Sequence, residues 1–474
     1  MNKGRILAML GALSLTVTCL GSCASNHKTP SSPPEPDTFV EAGPVDPIPE
    51  SKDSKSLLHA LLADVSEADA ADFSWKEVEG GVEITQYRGT ATQLRIPANI
   101  DGKPVVGIGT NVFRDNRTLT LLALPDSVIS FGLSVLEGCT SLKTLRTPVL
   151  GQDREGKSYL GYLFGAESYE DNPLKVPPSL KHLSLGASNG ELSDFALYDC
   201  NDLAVVFLEQ SVQSLGRYSF YNCASLEWIN TDGLRNVGEG AFHSCSALIS
   251  LKFGAGLSHL GFSSLEGCAA LRELTLPFVG ESSTENTYLA YVFGASAPDF
   301  AAGFYPRHLT RVEITEPCAA LGNYAFFECS SLAEIILPGT LTRVGIRAFY
   351  GCTNLRGAEI PAAVTAIGEN AFFGCSNLRE LSFGENASLQ TVGINAFYGC
   401  RILTQVDLPR ALPSIPASCF AECKKLRSVS LGGVSSVGKN AFRGCDSLTF
   451  VGAYREVSFA EGNEKASAVV RYLA

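Results

Sequence analysis

The sequence predicts an α/β-type, right-handed solenoid of about fourteen coils, each with one short strand, closed by a cap at either end. Three observations carry this prediction. Phe-x-x-Cys-x-x-Leu returns every 23 residues or so, at Phe326 to Leu332, Phe349 to Leu355, Phe372 to Leu378, Phe397 to Leu403, Phe420 to Leu426 and Phe442 to Leu448. Each motif runs into strand-like text, as in Leu332-Ala-Glu-Ile335-Ile-Leu337 and Leu403-Thr-Gln-Val406-Asp-Leu408. Gly stands seven residues before the Cys slot in ten of twelve copies, where a positive φ or a close backbone approach is expected.

The first element is residues 1–23. Lys3 and Arg5 precede an apolar run from Ile6 to Leu20, the pattern of a secretory signal peptide. The run is too short to span a bilayer as an uncleaved helix. Leu20-Gly21-Ser22-Cys23 resembles a bacterial lipobox, which implies cleavage before Cys23 and attachment of diacylglycerol to its sulfur.

Residues 24–55 are rich in Pro, Ser, Asp and Glu and carry too little apolar surface to fold alone, as a tether would. Residues 56–100 form the N-terminal cap. Leu57-Leu58-His59-Ala60-Leu61-Leu62 begins it in helix-like fashion, and Trp75, Val82, Ile84, Tyr87 and Leu94 continue it. An uncapped solenoid end exposes strand edges and apolar core, so residues 451–474, which lack a Cys slot, are assigned to the opposite cap.

Residues 101–450 are the solenoid. Earlier copies of the motif centre on Cys139, Cys200, Cys223, Cys245 and Cys268, and Asn116 takes the Cys slot of the first. Self-similarity at this period with Leu-x-x-Leu-x-Leu text is the mark of a leucine-rich repeat, in which each coil supplies a strand. The pair Ala348-Phe349 before Cys352 suits a short helical turn. Two intervals break the beat. Each holds one enlarged coil, near 146–178 and 275–307, with the related text Tyr159-Leu-Gly-Tyr-Leu-Phe-Gly-Ala166 and Tyr288-Leu-Ala-Tyr-Val-Phe-Gly-Ala295. The slots from 116 to 223 recur 129 residues later, from 245 to 352, as duplication of a five-coil block would leave them.

Thr342-Arg343-Val344-Gly345-Ile346-Arg347-Ala348-Phe349-Tyr350-Gly351-Cys352 resembles the repeat of the BspA-type leucine-rich repeat surface proteins of bacteria. The resemblance covers about residues 80 to 455. It implies a cell-surface protein that adheres to other proteins, with host matrix or plasma proteins as the expected partners.

Composition narrows the function independently. A net charge of −12 disfavours nucleic acid and bare anionic membrane, leaving membrane contact to the N-terminal lipid. Fifteen cysteines suit a disulfide framework in an exported protein, but eleven occupy one slot and project in parallel into the core, where free Cys packs as a small hydrophobe. One Cys per coil does not converge as a structural zinc site does. The six histidines fall in no metalloprotease or nucleophile motif, and no phosphate-binding glycine loop is present. No enzyme activity, catalytic residue, metal or cofactor is expected.

Function is then sought on the concave strand face, among residues between the core leucines. Val205, Phe207 and Trp228 fall in outward slots as an apolar cluster, which a ligand would explain. Further along, the same columns turn acidic at Glu273, Glu313, Glu334, Glu359, Glu380 and Asp407, beside Arg272, Arg356, Arg379 and Arg427, where cross-strand ion pairing is an alternative purpose. The candidate ligand-binding residues are Val205, Phe207, Trp228, Glu334, Glu359 and Glu380. The expected function is a non-catalytic, adhesin-like binding protein, lipid-anchored to the cell envelope and surface-exposed. The alternative is an envelope scaffold that organises other surface proteins or polysaccharide without a host ligand.

Overall fold

A computed structural model describes residues 65–151, 158–187 and 189–473, so Cys23, the tether and the Leu57 to Leu62 stretch lie outside the described residues. The chain divides into two units, 1–50 and 51–474, and the described residues belong to the second.

Ala70–Asp72 is a short 3-10 turn capped by Asp69, followed by the antiparallel hairpin Phe73–Val78 and Gly81–Tyr87. The hairpin seats on the solenoid through aromatic contacts. Phe73 and Tyr87 lie 5.3 Å apart between ring centroids, and Tyr87 lies 5.5 Å from Phe113 of the first repeat.

From there the chain builds parallel ladders, two strands to a coil rather than the one expected. The longer strand of each coil stacks on its neighbours in the series Gln93–Arg95, Leu121–Ala123, Thr144–Thr147, His182–Leu185, Val205–Leu208 and Trp228–Ile229, and onward to Val470–Tyr472. A second, two-residue strand turns the chain, as in Ser214–Leu215, Asn236–Val237 and His259–Leu260. Sequence patterning reveals the first set through Leu-x-x-Leu-x-Leu; two residues are too few to show a period. The long strands number sixteen among the described residues, in hydrogen-bonded runs of six, four, two and four, and the last two, Phe450–Ala453 and Val470–Tyr472, lie beyond the final Cys slot.

The third side of each coil is a tight turn, not the helical segment that an α/β-type coil implies, so the fold is a β-solenoid with little helix. Two residues per turn sit in the left-handed region, five and one before the Cys, such as Asn370 at φ 54° and Gly374 at φ 73°. Asn, Asp and Ser recur there because a short polar side chain tolerates that conformation best after Gly. The Gly seven before the Cys is needed for close approach instead. A Cβ on Gly368 would stand 2.5 Å from the backbone N of Ile346 in the preceding coil.

The core is one continuous column of repeat side chains. Phe349, Phe372, Phe397 and Phe420 stack with centroids 4.8–5.3 Å apart, and all are fully buried. In most coils the Cys thiol donates to the carbonyl of the preceding coil's Phe: Cys352 Sγ to Phe326 O at 3.1 Å, Cys375 Sγ to Phe349 O at 3.2 Å, Cys445 Sγ to Phe420 O at 3.1 Å; Cys223 uses Leu197 O instead. Cys thus fills volume while satisfying a buried acceptor. All thirteen described cysteines are free and buried.

The two enlarged coils each span 38 residues from strand to strand, with Thr144 facing His182 and Glu273 facing Arg311 in register. In both, a 3-10 segment, Leu160–Phe164 or Leu289–Phe293, takes the place of the turn. Tyr159 and Tyr288 donate their hydroxyls to the carbonyls of Ala166 and Ala295, each at 3.2 Å, so the shared text is packing. The copies differ in how they satisfy one carbonyl. Asn172 Nδ2 reaches Tyr198 O at 3.0 Å, whereas Tyr305 OH reaches the equivalent Phe327 O at 3.1 Å.

Candidate functional site: the outward strand face

Alternation along each long strand decides what this face presents. In Val205–Leu208, Val206 and Leu208 enter the core, while Val205 and Phe207 point away from it. Register places Val205 between His182 and Trp228, and Phe207 beside Ser184. The structure therefore brings Val205, Phe207 and Trp228 together. Phe207 and Trp228 are half-buried, but Val205 is only 5% exposed and offers almost no surface as it stands.

Polar residues that sequence reasoning did not single out frame the cluster. Arg146 Nε lies 3.0 Å from Glu209 Oε1, Arg146 also pairs with Asp126, and Ser184 Oγ donates to Glu209 Oε1 at 3.1 Å. Burial pushes the Glu209 carboxyl up, and the Arg146 guanidinium opposes that shift. Burial also lowers His182, whose Nδ1 lies 3.4 Å from Thr144 Oγ1. Asn230 closes the far side by imitating a strand. Its Oδ1 accepts from Leu208 N at 2.7 Å and its Nδ2 donates to Leu208 O at 2.9 Å. The common register of Arg146, Ser184 and Phe207 was readable once the coils were aligned across the enlarged repeat; the role of Glu209, one residue past its strand, was not.

A further cluster lies on this face nearer the N-terminus. Val65, Leu121 and Ala123 pack together apart from the main core, at 8%, 3% and 1% exposure. Leu121 and Ala123 point outward, and Arg95 Nε fixes the incoming chain by donating to Val65 O at 2.9 Å.

The acidic residues form a separate group. Glu334, Glu359 and Glu380 are exposed. Glu380 faces Gly357 in one column, and Glu359 faces Ser382 in the next. Arg311, in register with Glu334, lies 3.4 Å from it and 3.7 Å from Glu313. Ladder pairing thus accounts for Glu334 in part. Five strand spacings of about 4.8 Å separate the Val205 strand from the Glu334 strand, roughly 24 Å, so the six residues do not make one patch. Among the described residues no group of three His, Cys, Asp or Glu side chains is placed to hold a metal ion, and no helix is long and apolar enough to cross a membrane.

The family model described as the BspA type leucine rich repeat region matches residues 91–153, 174–289, 301–388 and 348–462. Solved structures are similar over most of the chain at low identity. A leucine-rich repeat protein from Bacteroides ovatus is 18% identical over 87% of this chain and 100% of that one, with a TM-score of 0.31. A leucine rich cell surface protein from Faecalibacterium prausnitzii is 17% identical over 86% and 98%, with a TM-score of 0.26. The pneumococcal vaccine antigen PcpA is 15% identical over 86% and 97%, with a TM-score of 0.27. No curated protein matches the sequence.

Proposed function

From the premise that this chain belongs to the BspA-type leucine-rich repeat family, we propose a non-catalytic, adhesin-like protein that engages other proteins through the outward strand face. Leucine-rich repeat proteins in general act by protein recognition, since stacked coils offer a long, regular surface suited to many modest contacts. The observation that carries the reading is the exposed carboxylate group Glu334, Glu359 and Glu380, set on rigid strands where it can meet a basic surface, with Glu334 also paired to Arg311. Phe207 and Trp228 add an apolar end to the same face.

We place the protein on the cell surface, exported, held by lipid on Cys23 and set off by a tether over 24–55. Incorporation of labelled fatty acid, lost in Cys23→Ala, is the expected result for the anchor. The binding reading is tested by solid-phase association of residues 24–474 with matrix and plasma proteins. Saturable binding supports it. No binding by a folded protein favours an envelope scaffold that organises neighbouring surface components.

A further inference from the structure

We propose that the outward strand face holds a carbohydrate subsite, a cleft in which Trp228 stacks on one uncharged sugar ring of a polysaccharide and Glu273 accepts its hydroxyls. A break in the strand ladder sets the cleft. The first hydrogen-bonded run ends at Trp228–Ile229 and the next begins at Ser250–Lys252, with no main-chain hydrogen bond between these two strands. A single bridge from Thr231 to Phe253, backed by the Thr231 hydroxyl donating to Lys252 O at 2.7 Å, carries the register across and sets Ser250 beside Trp228. Ser250 in turn faces Glu273 in register. A small residue is therefore the floor between an indole and a carboxylate.

The groups around this floor are uncommitted. Trp228 is half-buried, belongs to none of the hydrophobic clusters, and makes no ring contact or indole N–H hydrogen bond among the described residues. Rings on the turn side of the coils stack on one another instead, as Tyr350 and Phe373 do at 4.9 Å. Glu273 is half-exposed, Glu227, Lys252 and Arg272 are exposed, and none of the four forms an ion pair among the described residues. Two cations against two carboxylates leave the cleft without net charge, so it selects neither an anion nor a cation. An uncharged ring with a C–H face and a rim of hydroxyls fits: the negative face of the indole attracts the C–H groups, and the charged side chains donate to and accept from the hydroxyls. Two strand spacings, about 10 Å, separate the Trp228 and Glu273 strands, so a ring stacked about 4 Å from the indole lies within reach of the carboxylate. Walls this open suit a residue held within a chain, since a free small ligand needs a site that encloses most of its surface.

The test uses the full chain carrying Trp75→Phe, which leaves Trp228 as the only tryptophan. It is titrated with maltohexaose, laminarihexaose, cellohexaose, mannohexaose and chitohexaose, and separately with an octa-arginine peptide. At least one hexasaccharide is expected to shift Trp228 emission to the blue saturably. Adding Ser250→Leu, which fills the floor beside the indole, is expected to abolish the shift, and adding Glu273→Gln to weaken the affinity about tenfold. No saturable shift with any of the five sugars, in a protein whose circular dichroism matches the parent, overturns the proposal. So does a shift that Ser250→Leu leaves undiminished, or a response to the peptide alone, which assigns the cleft to a basic protein. The sugar titrations involve no protein partner, so their failure leaves the protein-binding reading standing.

Discussion

Ser184 and Ser382 occupy the same column of the strand ladder, yet Ser184 is 2% exposed and donates to Glu209, whereas Ser382 is open to solvent. Arg146, Phe207 and Glu209 enclose Ser184, whereas nothing comparable closes over Ser382. Substitution separates them. Ser184→Leu forces extra volume into a filled site and is expected to cost about 1–3 kcal/mol in urea unfolding, while Ser382→Leu stays within about 0.5 kcal/mol.

The cysteine column makes stability depend on alkaline pH. Burial raises every described thiol, with Cys223, Cys268 and Cys329 pushed up to about 12 from an ordinary 9.0. The folded state thus holds its thiol protons more tightly than the unfolded chain. That contribution is fully present below pH 9 and is lost as pH rises from 9 toward 12, because the unfolded chain ionises first. Unfolding midpoints measured from pH 8 to 11 should fall steadily above 9. At pH 8, iodoacetamide should label these thirteen cysteines only after denaturation.

Two glycines in one coil should respond in opposite ways. Gly368→Ala drives a Cβ to 2.5 Å from the Ile346 backbone N, and a loss of about 1–3 kcal/mol is expected. Gly374→Asn keeps a left-handed conformation that Asn222 already adopts in the equivalent slot, at φ 54°, and no neighbour lies within 4 Å of the new Cβ. A loss under about 1 kcal/mol is expected there. Thermal melts of the pair distinguish close approach from left-handed geometry.

In the first enlarged coil, Asn172 is fully buried and bridges Gly161 N and Tyr198 O, at 2.9 and 3.0 Å. Asn172→Leu leaves both groups unpaired and should cost about 2–5 kcal/mol. In the second copy, Ala301 stands in that place and Tyr305 supplies the bond, so Tyr305→Phe should cost about 1–3 kcal/mol. Hydrogen exchange at the two 3-10 segments reads each loss locally.

Much of this was legible in the sequence because repetition multiplies weak signals. The Phe, Cys and Leu slots point into one core, as expected, and Phe164 and Phe293 take their places in the enlarged coils. What escaped was whatever is too short to repeat audibly. The two-residue strands have no period, and the turn glycines carry their signal in a neighbouring coil's backbone. The pattern places Val205 and Glu334 equally well in outward slots, but burial depends on what lies above a slot. Pairing partners such as Arg146 with Glu209, or Arg311 with Glu334, become visible only with register.

The binding claim is tested most directly by measuring association of residues 24–474 with the matrix and plasma panel for two variants beside the parent. The triple variant Glu334→Gln, Glu359→Gln, Glu380→Gln is expected to weaken binding by about tenfold, with a shallower salt dependence. Phe207→Ser with Trp228→Ser, at the apolar end of the same face, is expected to weaken binding less, by about threefold. Loss of binding in the apolar variant with none in the triple variant would contradict the assignment of the open acidic half as the ligand face.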